Sequence, residues 1–197
     1  MPINPKYLAK FYPGSYYHIY NRSHSQKKMF LNHDNYIFFL QLFKKYLSNY
    51  LDLFAYCLLP NHFHLFIKVK ENEQPDESTN DIIANQFKKM FIAYSNAFNV
   101  MHNLHGGIFE TPFRRILVDD DNYFSGIIYY IHCNPVHHNL SIAINKYAYS
   151  SYKSFLSDKP ILLQREKVFE WFGGKDAFIK YHEIQKANYL PNEFLIG

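Results

Sequence analysis

Two histidines one residue apart, His62 and His64, and a tyrosine four residues before an asparagine, Tyr130 and Asn134, are the side chains whose types and spacing could do chemistry. Along an extended strand alternate residues share a face, so His62, His64, Phe66, Lys68 and Lys70 line one side and Phe63, Leu65, Ile67 and Val69 the other. Paired imidazoles suit a divalent metal. The aromatic and the two cations beyond them suit a polyanion lying along a sheet, for which a phosphodiester is the natural candidate. A half-buried strand whose histidines border solvent is the plainer alternative for a bare His-x-His. On a helix Tyr130 and Asn134 lie about 40° apart in projection, whereas Tyr129 is turned about 140° from Asn134. Only Tyr130 can share a site with the asparagine.

The elements that must position these residues are legible from periodicity. Ser15-Tyr16-Tyr17-His18-Ile19-Tyr20-Asn21-Arg22 alternates as a strand and puts Tyr16, His18, Tyr20 and Arg22 on one face. From Asp34, read as the N-cap, Ile37, Leu40, Phe43 and Leu47 recur at helical spacing and predict a helix to about Tyr50, with Lys44 and Lys45 on its outer face. An apolar strand over 53–59 turns at Leu59-Pro60-Asn61 into the histidine strand, a hairpin that places the histidines near the start of an inner strand. Residues 71–80 are polar, contain proline and have no period, so disorder is expected there. Ile83, Phe87, Met90, Tyr94, Phe98 and Met101 predict a long helix burying one stripe. Residues 108–118 then read as a strand carrying Arg114 and Arg115, with Pro112 arguing for an edge position or a bulge. Asp119, Asp120 and Asp121 open the helix of Tyr130, which should stop near Asn134 because Pro135 disfavours helical geometry in the residue before it. Two more helical patches follow, over 165–172 and 175–186.

Strand, helix, hairpin, helix, strand, helix is an α+β order, best satisfied by an antiparallel sheet with helices covering one face and the histidines on the other. The expected organisation is an N-terminal arm over 1–14, a core over 15–140 and a small helical C-terminal extension over 141–197 packed on that core.

Composition narrows the class. The chain of 197 residues is long enough to bury a proper core, and its 18 tyrosines and 19 phenylalanines exceed what a compact core requires. With 21 basic against 17 acidic residues and 11 histidines, that surplus fits a surface that stacks bases and touches phosphates. Two cysteines, Cys57 and Cys133, form no disulfide framework and no zinc-finger spacing, which points to the reducing cytoplasm. No apolar run approaches membrane-spanning length, and Met1-Pro2-Ile3-Asn4-Pro5-Lys6 lacks the apolar centre of a signal peptide. No phosphate-binding glycine-rich loop is present, so no nucleotide cofactor is expected.

Four blocks together, Tyr17-His18-Ile19-Tyr20-Asn21-Arg22, Ala55-Tyr56-Cys57-Leu58-Leu59-Pro60-Asn61-His62-Phe63-His64, Phe109 to Arg115, and Tyr130-Ile131-His132-Cys133-Asn134-Pro135-Val136, stand in the order seen in REP-associated tyrosine transposases. These are a branch of the single-tyrosine HUH transposases, and the resemblance spans roughly residues 16–152. It implies a ferredoxin-like or RRM-like sheet, a divalent metal, for which a mixed N/O donor set suits Mg or Mn, and single-stranded DNA, with hairpin-forming repeats or element ends as substrate. It also implies a tyrosine nucleophile that leaves a 5′-phosphotyrosine and a free 3′-hydroxyl. His62 and His64 match the HUH histidines, Tyr130 the nucleophile and Asn134 the polar third metal ligand, where more distant relatives carry glutamine, one methylene longer. After Asn-Pro-Val this chain has His137-His138-Asn139, where relatives usually carry a basic and a small residue.

Around that centre, His18, Tyr20, Arg22, Lys68, Lys70, Arg114 and Arg115 are the residues expected to contact DNA. Two other readings remain open from the residues themselves. One is a DNA-binding protein that keeps the fold without transposition, the other a metal phosphodiesterase in which water attacks. A monomer is expected over a homodimer.

Overall fold

Strand β3 (His62–Val69) is flanked on both sides, antiparallel to β2 (Leu51–Leu59) and to β1 (Tyr16–Arg22), and β1 in turn pairs antiparallel with β4 (Arg114–Val118). The result is a four-stranded antiparallel sheet of order β2-β3-β1-β4 in an α+β protein, as the element order predicts. The structure is a computed structural model that describes residues 4–24, 27–71, 78–159 and 162–184. The expectation of disorder over 71–80 falls mainly on residues outside that description, as do the end of the last helical patch and the tail after it.

The hairpin forms at Pro60 and Asn61, and the β1–β3 register sets Arg22 opposite His62, Tyr20 opposite His64 and His18 opposite Phe66. Phe63, Leu65, Ile67 and Val69 are buried against α1 (His33–Leu47) and α2 (Thr79–His102). Phe39 of α1 meets Phe63 at 4.9 Å between ring centroids, and Phe91 of α2 meets it at 6.0 Å. Helix α1 is capped not by Asp34 but by Asn32, whose side chain accepts from the Asn35 amide while the Asn35 side chain reaches back. Its buried stripe is Tyr36, Phe39, Phe43 and Leu47, one position off the expected Ile37 and Leu40. Ile37 faces solvent, because the larger rings of Tyr36 and Phe39 take the core-facing arc. On α2 the expected stripe holds except at Met101, which is exposed with its sulfur 3.4 Å from Nδ2 of Asn35.

The histidine face is also covered. Helix α3 (Phe124–His137) lies across it, leaving His64 and Phe66 with no exposure. A single 3-10 turn, Asp121–Tyr123, leads into α3, and Asp120 caps it by accepting from the Asn122 amide at 2.9 Å. The helix does not stop at Asn134 but continues through Pro135 to His137. Proline lies within its last turn, where it removes one hydrogen bond only, and the end is closed by the His138 amide donating to Asn134 at 3.0 Å and the Leu140 amide to Pro135 at 2.8 Å. Strand β4 begins at Arg114, later than expected, so Pro112 precedes the ladder and interrupts nothing; β4 is an edge strand, as its proline suggests.

Beyond residue 140 the chain folds back over β2 and α3. Helices α4 (Tyr152–Leu156), α5 (Arg165–Phe172) and α6 (Lys175–Ile184) close the second layer. Trp171 of α5 packs at 4.8 Å from both Phe54 and Phe124 and at 5.7 Å from Tyr16. A buried relay ties α6 to α3 and β2. Nδ1 of His182 donates to the Phe178 carbonyl (2.8 Å), Nδ1 of His132 donates to Nε2 of His182 (2.9 Å), the Ser151 hydroxyl donates to Nε2 of His132 (2.7 Å), and the Tyr56 amide donates to Ser151 Oγ (2.9 Å). With both rings neutral this is the one proton arrangement that satisfies every member, because the Phe178 carbonyl can only accept. Among the described residues no helix is long and apolar enough to cross a membrane.

Phe63→Ala removes the ring at the centre of the α1–α2 layer and is expected to cost about 3–5 kcal/mol in denaturant unfolding. The relay adds a pH dependence. Burial lowers His182 to about 4 and drives His132 well below the usual imidazole range, so the unfolded chain binds these protons first. Stability is therefore full above about pH 6.5 and falls as pH drops toward 4, the His182 share amounting to roughly 3 kcal/mol. A His182→Gln variant should show a flatter fall in thermal unfolding across that window.

Candidate active site

Register brings the site together. The β1–β3 ladder sets Tyr20 beside His64 on the α3 side of the sheet, and α3 lowers Tyr130 onto the same spot, its ring edge-on to His64 at 5.7 Å and to His18 at 6.0 Å. Tyr129 turns the other way, toward Tyr181 and His182, as the 140° projection requires. Tyr130 and Asn134 are both buried.

Each histidine of the pair is oriented by a hydrogen bond to its Nδ1. His62 Nδ1 donates to Oδ1 of Asn61 at 2.7 Å, and His64 Nδ1 lies 3.0 Å from Nε2 of His18. The rings of His62 and His64 are 5.3 Å apart and nearly perpendicular. Their Nε2 atoms are both buried and meet no hydrogen-bond partner. Burial holds both rings neutral at physiological pH: His62 is lowered to about 4, with the nearby His138 adding to it, and His64 is held well below the usual imidazole range, with His18 and His62 adding to it. Two neutral imidazoles, each with its Nδ1 engaged and its Nε2 unpartnered, could together hold a divalent cation wherever both Nε2 atoms carry lone pairs. Among the described residues no trio of His, Cys, Asp and Glu is arranged to hold a metal. A third protein ligand would therefore come from outside those types, as an amide oxygen would. Asn134 gives its Nδ2 to the Tyr130 carbonyl at 2.9 Å, so only its Oδ1 could serve as a ligand.

The expected DNA-contacting residues separate into groups. His18 is fully buried and bonded to His64, so it lies beneath any DNA surface rather than on one. Tyr20 is half-buried with its ring stacked on His64 at 5.9 Å, and burial raises its phenol well above the usual range. Arg22 is exposed at the His62 end of the sheet and pairs with Glu110 at 2.8 Å, while Arg114, opposite Tyr20, approaches the same carboxylate at 3.9 Å. Arg115 is opposite Ile19 and so projects to the other side of the sheet, its guanidinium over the rings of Phe11 (5.0 Å) and Phe113 (5.3 Å). Neighbours on a strand cannot share a face, and only Arg114 stays with the histidines. Lys68 and Lys70 lie roughly 20 Å or more along the strand from His62. Lys68 pairs with Glu71 at 2.9 Å, and Lys70 caps the end of α1 through the Ser48 carbonyl at 2.7 Å with Asp52 at 3.7 Å.

Three participants escape a reading of the sequence. Asn61 orients His62, and its position just before the histidine in a two-residue turn is the one local signal for it. Glu110 bridges two arginines on different strands, a pairing only the fold reveals. His138 sets its ring 4.7 Å from that of His62 just beyond α3.

No protein-family model matches the chain. A curated protein of Haemophilus influenzae named "Putative REP-associated tyrosine transposase" is 28% identical over 128 residues, which are 64% of this chain and 69% of that protein. A solved structure described as a REP-associated tyrosine transposase bound to a REP hairpin superposes with a TM-score of 0.60 at 15% identity, over 81% of this chain and 89% of the other. The chain is thus similar to REP-associated tyrosine transposases in sequence and shares their fold.

The geometry makes a prediction independent of any ligand. In long-range nitrogen–proton NMR spectra, His62 should carry its proton on Nδ1, and Asn61→Ala, which removes the acceptor, should shift the ring toward a mixture of tautomers.

Proposed function

We propose that this chain, similar in sequence and fold to REP-associated tyrosine transposases, is a metal-dependent transposase or endonuclease that cleaves and rejoins single-stranded DNA through a 5′-phosphotyrosine on Tyr130. One observation carries the reading: the Tyr130 ring stands edge-on, 5.7 Å from a histidine whose buried Nε2, like that of its neighbour, meets no partner. A phenol with an ordinary pKa near 10 is a weak nucleophile and a phosphodiester a reluctant electrophile, so such a tyrosine is useful only beside a source of positive charge. His62 and His64 through Nε2, with Asn134 through Oδ1, would hold Mg or Mn, which when bound polarises the scissile phosphate and stabilises charge on its oxygens.

The chain's own residues do the rest. Tyr130 attacks phosphorus in line, its phenolic proton is released, and the 3′-oxygen leaves and takes up a proton. The phosphotyrosine retains the ester's free energy, so a second 3′-hydroxyl can reverse the step and join strands without a nucleotide cofactor. The end of the site where Arg22 stands opposite His62 and His138 meets its ring, with Arg114 opposite Tyr20 on the same face, is where the phosphate backbone enters. Tyr20, stacked on His64, offers a ring beside that path.

The solved neighbour is described as holding a REP hairpin, and hairpin-forming repeats are the DNA we propose here. The His132–His182 bond ties α3 to α6 of the same chain, which favours a protein that uses its own Tyr130; a cytoplasmic monomer is the form we propose.

Incubation with labelled single-stranded hairpin oligonucleotides and Mn or Mg, followed by denaturing electrophoresis, tests the reading. A metal-dependent covalent protein–DNA band is expected for the native protein, falling to background in Tyr130→Phe and in His62→Ala. Cleavage that persists in Tyr130→Phe would make water the nucleophile, and binding without cleavage would leave a DNA-binding protein.

A further inference from the structure

The two metal-facing histidines are oriented by different kinds of partner. Asn61 Oδ1 can only accept, so it commits His62 to an Nδ1 proton and an Nε2 lone pair. His64 instead faces another imidazole, that of His18, at 3.0 Å, and both rings are fully buried. Two neutral imidazoles joined by one hydrogen bond have two arrangements. In the first, His64 Nδ1 donates to His18 Nε2, which leaves a lone pair on His64 Nε2 and a proton on His18 Nδ1. In the second, His18 Nε2 donates, and the His64 proton moves to Nε2, where it blocks ligation. Neither His64 Nε2 nor His18 Nδ1 has a hydrogen-bond partner, so each arrangement leaves one buried N–H and one buried lone pair unsatisfied. The protein alone therefore gives little preference. A cation at His64 Nε2 uses the lone pair of the first arrangement and repels the N–H of the second.

From this geometry we infer that His18 is a positioning residue: when a divalent cation binds His64 Nε2, His18 accepts from His64 Nδ1 and so supports the ligating tautomer. The inference rests on the metal site of the proposed function. It reassigns His18 from the DNA surface, where its burial does not allow it, to the support of the site. It also predicts which replacements succeed. Glutamine carries its amide oxygen at about the distance of the histidine Nε2 and can accept from His64 Nδ1. Phenylalanine keeps the ring that meets Tyr20 at 5.4 Å and Tyr130 at 6.0 Å but accepts nothing.

The test is the affinity of the purified protein for Mn2+ and Co2+ by titration calorimetry, with the visible absorption of bound Co2+ as a second readout and thermal unfolding in chelator as the control for folding. His18→Phe is expected to bind about 10- to 100-fold more weakly. His18→Gln should recover most of the native affinity, and its Co2+ spectrum should match that of the native protein. Should the phenylalanine variant unfold, His18→Leu against His18→Gln makes the same comparison. Native affinity in His18→Phe, with binding lost in His64→Ala, would overturn the role of His18 and leave the metal site standing. Native protein that binds neither ion, or binds them equally well in His62→Ala and His64→Ala, would overturn the metal site and the role of His18 together.

Discussion

Burial of the imidazoles of His18 and His64 beneath α3 is the constraint on which the rest of the site depends. Ionised imidazoles would be costly there, so the rings stay neutral and each polar nitrogen needs a partner. Two of those nitrogens are joined to each other, and the remaining two, Nδ1 of His18 and Nε2 of His64, meet no partner, in rings that Tyr130 faces edge-on. A sheet face that carried the same histidines in open water would bind a cation loosely and would leave a phenol free to rotate away. Here the low dielectric strengthens any charge placed in the site, and α3 allows Tyr130 little freedom.

That arrangement shifts attention to what holds α3 down. The helix is not tethered by the sheet alone: its far side is bonded through His132 to His182 of α6 and to Ser151, and its first turn is wedged by Phe124 against Trp171. The segment after residue 140 is thus part of the support of the site. Two histidine pairs serve opposite ends of one design. One pair, His132 with His182, has every nitrogen satisfied and is structural. The other, His18 with His64, has nitrogens to spare and faces Tyr130.

Much of this was legible in the sequence, for identifiable reasons. Strict alternation over 62–69 specified both faces of β3, and the turn residues Pro60 and Asn61 specified the hairpin. The 40° projection set Tyr130 and Tyr129 on different sides of α3, as their ring neighbours do, because helical geometry is the same in every fold. What periodicity could not see was depth. It sorted side chains into two faces but did not reveal that α3 would cover the second face, so His18 read as a surface residue. Arg115 read as a partner of Arg114 because they adjoin in sequence, although the pleat separates them. Pro135 read as a stop because proline disfavours helical geometry in the residue before it, a bias that α3 overrides in its last turn, where one lost hydrogen bond is cheaply replaced. Ile37 and Met101 lost their expected burial to larger aromatic neighbours and to a helix end.

The central claim is that Tyr130, alone among many tyrosines, is chemically competent, and mapping the site of attachment tests it most directly. Protein trapped with a single-stranded hairpin oligonucleotide would be digested with nuclease and protease and its peptides sequenced by mass spectrometry. The account predicts a nucleotide remnant on the phenolic oxygen of Tyr130, with Tyr129 and Tyr20 unmodified. A remnant on either of those residues instead would contradict it, because neither is held by α3 edge-on to His64 as Tyr130 is.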